Sequence, residues 1–108
     1  MAFGASHLPL DVRTIPESWI FLQDVPLIPF GSQFRGKTEI LNQLSERKIP
    51  ALIIENDSVL VTGDQLLQTF DRLEVAEFSA KSLVLASPIG QLQPNNQQQI
   101  EDLRRVFF

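Results

Sequence analysis

Ile53-Ile54-Glu55-Asn56-Asp57-Ser58-Val59-Leu60-Val61-Thr62-Gly63 is the stretch on which the fold turns. Two short apolar, branched runs, Ala51 to Ile54 and Val59 to Val61, flank the polar residues Glu55 to Ser58. That pattern predicts a β-hairpin, with Asn56 and Asp57 suited to its turn because their short side chains bond the local backbone. Thr62 then fits a helix N-cap, and Gln65 stands where a capping box places its second member. The helix that follows is expected to reach about Ala86, where Pro88 and Gly90 stop it.

Upstream, Val25 to Phe30 reads as a further strand. Pro26 and Pro29 cannot donate to a ladder, so this strand should lie at a sheet edge. A helix from about Lys37 to Lys48 would bury Ile40, Leu41 and Leu44 on one side. Residues 1–20 carry Pro9 and Pro16 with little periodicity and read as an irregular lead-in. Downstream, residues 88–99 form a glutamine-rich polar linker containing Pro88, Gly90 and Pro94. A last helix begins near Asn95 or Asn96, with Ile100, Leu103 and Phe107 at helical spacing. Strands and helices alternate, which argues for an α/β fold with a small mixed sheet flanked by helices. The 108 residues suit one domain with a modest core.

The long helix holds one anomaly. On a helical wheel Leu66, Phe70, Leu73, Ala80 and Val84 share a face, with Glu77 in its middle and Glu74 at its side. A buried carboxylate costs several kcal/mol unless paired. Two readings stay open: Glu77 pairs with Lys81 one turn on, or it turns toward a site or a subunit contact.

Composition removes several function classes. Apolar residues make up 44% and charged residues 20%, an ordinary balance for a globular protein. The net charge of -4 gives no general attraction to nucleic acid or anionic membrane. The chain has no Cys and a single His, His7, so disulfides, thiolate nucleophiles and multi-histidine metal sites are not available within it. With nothing to pair it, His7 reads as a surface histidine. No apolar run approaches the roughly 20 residues of a bilayer span, and the first residues lack the pattern of a signal peptide. The cytoplasm is the default expectation. The carboxylate pairs Glu55/Asp57 and Glu74/Glu77 are weak signals of acid–base chemistry, since any acidic protein has such pairs. The aromatic residues are not interleaved with a basic patch, against single-strand binding.

The stretch 53–63, followed by Phe70-Asp71-Arg72-Leu73-Glu74-Val75-Ala76-Glu77-Phe78-Ser79-Ala80-Lys81, resembles the signature of the class II aldolase/adducin family. There a strand leads into Asn-His-Gly, then an apolar strand, a Gly and a long helix of the form Ala-Phe-x-Arg-x-Glu-x-x-Glu-x-Ala. The positions that carry the likeness are Asn56, Asp57, Ser58, Gly63, Arg72, Glu74 and Glu77. It covers roughly residues 17–108, the C-terminal half of the family's domain, with residues 21–108 as its folded part and 53–81 as its core.

The resemblance implies a three-layer α/β/α fold and frequent assembly as a tetramer. It also implies cleavage or epimerisation of small sugar phosphates. In the family, zinc on three histidines stabilises an enediolate while a carboxylate moves protons. Two of those histidines and the acid/base Glu belong to the N-terminal half, outside the stretch matched. At the third, Asp57 stands in the ligand slot, and Asn56-Asp57-Ser58 replaces Asn-His-Gly. The expectation is therefore a domain without a zinc site or other cofactor and non-catalytic alone. It would self-associate as a homo-oligomer, with no nucleic acid or membrane partner, and a sugar phosphate would be the ligand of a longer parent protein.

A competing motif is Gly31-Ser32-Gln33-Phe34-Arg35-Gly36-Lys37-Thr38, which fits the phosphate-binding pattern G-x-x-x-x-G-K-[ST] between a possible strand and a helix. Gly31 and Gly36 would let the backbone wrap phosphate, Lys37 would reach the β- and γ-phosphates and Thr38 would hold magnesium. Against it, the preceding strand is broken by Pro26 and Pro29, whereas such loops follow central strands. Gln33, Phe34 and Arg35 are bulky where tight wrapping favours small residues. It is kept as the alternative reading, a nucleotide-binding fragment.

Overall fold

In the computed structural model, residues 2–32, 34 and 38–108 are described, apart from the side chains of Thr38, Glu39 and Glu46. The hairpin forms as its pattern dictates: β2 (Ala51–Ile54) and β3 (Ser58–Val61) pair antiparallel, with Ala51 opposite Val61 and Ile54 opposite Ser58. A two-residue strand, β1 (Leu27–Ile28), lies parallel to β2 on its other side. It is an edge strand, as Pro26 and Pro29 require. It is shorter than the run from Val25 to Phe30, because only Leu27 and Ile28 escape the two prolines.

β2 is the centre of the molecule. All four of its residues are buried, the mark of a strand covered on both faces. Ala51 and Ile53 point into a core with Leu10, Val12, Trp19, Leu22, Ala76, Leu83 and Ile100. Leu52 and Ile54 point the other way, into a smaller cluster with Ile28 and Ile40. Helices thus cover both sides of a small mixed sheet, an α/β arrangement.

The lead-in is not irregular. α1 (Ala2–Ser6), a 3₁₀ turn (Val12–Thr14) and α2 (Pro16–Leu22) occupy it. Pro16 starts α2 rather than breaking structure, since its fixed φ and missing N–H cost nothing in a first turn. Trp19 and Leu22 on α2 are then placed in the main core.

The segment after β1 is also reshaped. α3 (Thr38–Leu41) runs into a π turn (Asn42–Glu46), in which the Arg47 amide donates to the Asn42 carbonyl. Ile40 is buried and Leu44 half-buried one turn on, while Leu41 is exposed, so the buried stripe is narrower than the three residues expected.

α4 (Leu66–Ala86) ends where Pro88 and Gly90 require, but Thr62 does not cap it. Its N-cap is Gln65, without a side-chain cap. The Thr62 hydroxyl donates instead to the Ile49 and Pro50 carbonyls, closing the hairpin's open end. The buried face of α4 is rotated from the expected one: Ala76, Ser79 and Leu83 are buried, while Leu66 is 87% and Phe70 52% exposed. Apolar residues occur all round this helix, so no single stripe dictates its orientation. Small residues decide it. Ser79 meets Ser18 of α2 in a buried hydroxyl–hydroxyl bond of 2.6 Å, a close approach larger side chains would prevent.

α5 (Gln97–Phe107) opens with the full capping box of Asn96 and Gln99 and anchors through Ile100. Phe107, expected on its buried stripe, is 56% exposed. Arg13 fastens the linker to the lead-in: its carbonyl accepts from the Asn95 amide and side chain, and its guanidinium pairs with both Asp24 oxygens. That pair holds the Asp24 carboxyl below the usual carboxylate range and raises Arg13.

Candidate functional site

The β2–β3 turn brings together residues from three elements. Asn56 takes a left-handed backbone (φ 59°), which Asn tolerates, and the Asp57 amide donates to the Ile54 carbonyl at 3.1 Å. The Asn56 amide donates to the Gly4 carbonyl of α1 at 3.0 Å. His7, just past α1, hydrogen-bonds Asn56 Oδ1 through Nε2, and its Nδ1 stands 3.6 Å from Glu55 Oε2. The other Glu55 oxygen accepts from the Phe30 amide beyond β1. His7 is at the surface, as expected, but it is partnered. It latches the lead-in onto the turn, a contact across 49 residues that no local spacing could reveal.

Asp57 lies in the turn, and its side chain accepts from the Ser58 hydroxyl at 2.8 Å. Among the described residues no group of three His, Cys, Asp or Glu is disposed to hold a metal ion. The side chains around the turn are engaged with one another: the Asp57 carboxylate with the Ser58 hydroxyl, and His7 with Asn56 and Glu55.

The remaining positions of the aldolase-like motif do not converge on that turn. Gly63 lies past the far end of β3, where an added Cβ would run into Thr69. Arg72 Nη1 donates to the Thr62 carbonyl at 2.6 Å and so ties α4 to the end of the hairpin. Glu77 and Lys81 are exposed, and no ion pair joins them among the described residues. Glu77 borders a small cavity of about 40 Å³ between α4 and the sheet, with Leu73, Ala76 and Ala80. Glu74 faces a different space, an open groove of about 370 Å³ between α2 and α4. Glu17 and Asp71 share that groove with Phe21 and Phe78. A second depression of about 420 Å³ adjoins it, where Phe107 and Phe108 meet Phe21, Asp71 and Arg72.

Of the alternative phosphate loop, Gly31 is buried with φ 97°, a conformation that suits glycine. Gly36 and Lys37 lie outside the described residues, and Thr38 is the first residue of α3. The strand before this loop is β1, at the sheet edge rather than its centre.

None of the described helices is long and apolar enough to cross a membrane. No family model matches the chain, and no curated protein matches it.

Proposed function

We propose that the chain is a module of the class II aldolase/adducin kind that performs no catalysis alone and acts by self-assembly. The order hairpin, Gly63, long helix with Arg72, Glu74 and Glu77 supports the family reading, as do helices on both faces of the sheet. The three-layer architecture and a sugar phosphate as ligand of a longer parent protein belong to that reading.

Assembly rests on one observation. α4, of 21 residues, buries only Ala76, Ser79 and Leu83, while Leu66, Leu67, Phe70, Leu73, Phe78, Val84 and Leu85 face solvent. Scattered exposed leucines are normal, but apolar residues along two sides of one helix mark a surface that gains from cover. Burying each such side chain is worth about 1.5–3 kcal/mol.

The non-catalytic half of the proposal is tested by metal content. Incubated with zinc, freed of excess and analysed by elemental mass spectrometry, the untagged chain should retain well under one zinc per chain and leave sugar phosphates uncleaved. Stoichiometric zinc lost on Asp57→Ala, with aldol cleavage, would restore the enzymatic reading.

A further inference from the structure

The groove between α2 and α4 has acidic residues at its border and apolar walls. Among the described residues, Glu17, Asp71 and Glu74 border it, no basic side chain does, and none of the three carboxylates makes an ion pair or hydrogen bond. Its apolar lining comes from Ile15, Val75 and the rings of Phe21 and Phe78, which are 42% and 66% exposed. Apolar walls between unpaired carboxylates suit a cationic, aromatic occupant: the cation meets the rim and the ring faces, and rings fill the floor.

This chain carries such a segment. α5 ends in Arg104-Arg105-Val106-Phe107-Phe108. Arg104 lies over the Trp19 ring at 5.3 Å, and Phe108 meets the same ring edge-on at 5.9 Å. Arg105, Val106 and most of both phenylalanines remain exposed, and among the described residues Arg105 pairs only with Asp102 one turn back, an exposed pair of little worth. Groove and helix end lie on one side of the molecule, since the depression against Phe107 and Phe108 shares Phe21 and Asp71 with the groove. A two-fold axis there would give each subunit's groove the other's helix end, with both contacts formed at once.

We infer that the α2–α4 groove is the docking site for the end of α5 from a second copy of this chain. Arg105 faces Glu17, Asp71 and Glu74, and the phenylalanines cover Phe21 and Phe78. This assignment rests on the self-assembly reading and specifies which surface carries it.

Complementation by charge reversal separates the two. Glu74→Lys and Arg105→Glu each change an exposed side chain, and each sets like charges against one another in a homodimer. Sedimentation equilibrium should show self-association of each weakened about tenfold or more. Mixed in equal amounts, the two variants should associate as the unsubstituted chain does, because one interface pairs Lys with Glu and the other is unchanged. Circular dichroism confirms that each variant is folded, and Glu17→Lys replaces Glu74→Lys should the latter fail to fold. Two variants that associate normally alone, or a mixture no tighter than its parts, would refute the groove while leaving assembly standing. A monomeric unsubstituted chain would remove both.

Discussion

Ser18 and Ser79 permit a quantitative test of how α4 is oriented. Both are buried, at 2% and 1% exposure. Ser79 donates to the Val75 carbonyl at 2.6 Å, which uses its one proton. Ser18 must then be the donor in the bond between the two hydroxyls. Ser18→Ala removes that donor but leaves Ser79 bonded to Val75, at a cost of about 0.5–1.5 kcal/mol. Ser79→Ala leaves the Ser18 hydroxyl buried without an acceptor, at about 1–3 kcal/mol, less about 0.5 kcal/mol regained from the better helix propensity of Ala. With Ser79 already Ala, deleting the orphaned hydroxyl should be neutral or stabilising. The effect of Ser18→Ala therefore changes from unfavourable to neutral or favourable between backgrounds, a coupling of about 1–2 kcal/mol in which the propensity gain cancels. Urea unfolding of the four proteins at pH 7, dilute enough for one oligomeric state, gives the cycle directly. An equal cost of Ser18→Ala in both backgrounds would mean that the two hydroxyls do not meet and that α4 presents another face to α2.

Three further expectations follow from local geometry. Gly63→Ala should cost about 1–3 kcal/mol by overpacking, because the new Cβ would overlap Thr69 Oγ1 and sit 3.2 Å from the Thr69 amide nitrogen; adding Thr69→Ala should recover part of the melting temperature. Asp24 is held below its ordinary value by Arg13, so its contribution to stability is full above the usual carboxylate range and is lost as pH falls through the depressed folded value. Since Asp24 is 65% exposed, screening limits this to about 0.2–1 kcal/mol, and Asp24→Asn should remove that part of the acid dependence in chemical denaturation. Magnesium ATP should leave the melting temperature unchanged, whereas a bound ligand at a hundredfold its dissociation constant would add about 2.7 kcal/mol; a shift abolished by Lys37→Ala would favour the phosphate-loop reading.

What could be read from the sequence was what short-range pattern controls. The hairpin 51–61, the end of α4 near Ala86 and the capped start of α5 at Asn96 all follow from neighbouring residues. The edge position of β1 follows from two prolines. Where several local solutions compete, long-range packing chose. Thr62 could cap α4 or close the hairpin, and two carbonyls at Ile49 and Pro50 took its hydroxyl. α4 has apolar residues on every side, so its wheel does not single out Ala76 and Ser79; the opposing Ser18 does. α2 was hidden because Pro16 signals a break unless it falls at a helix start, as here. Of the candidate site, the turn formed by Asn56 and Asp57 was legible. The His7 contact was not, since it depends on where α1 docks.

Static light scattering across a dilution series is the most direct test of self-assembly. The unsubstituted chain should show a mass of at least two chains at high concentration, falling toward one on dilution. A mass of one 12.2 kDa chain throughout would mean that α4 and the end of α5 need no partner, and the assembly reading would fail.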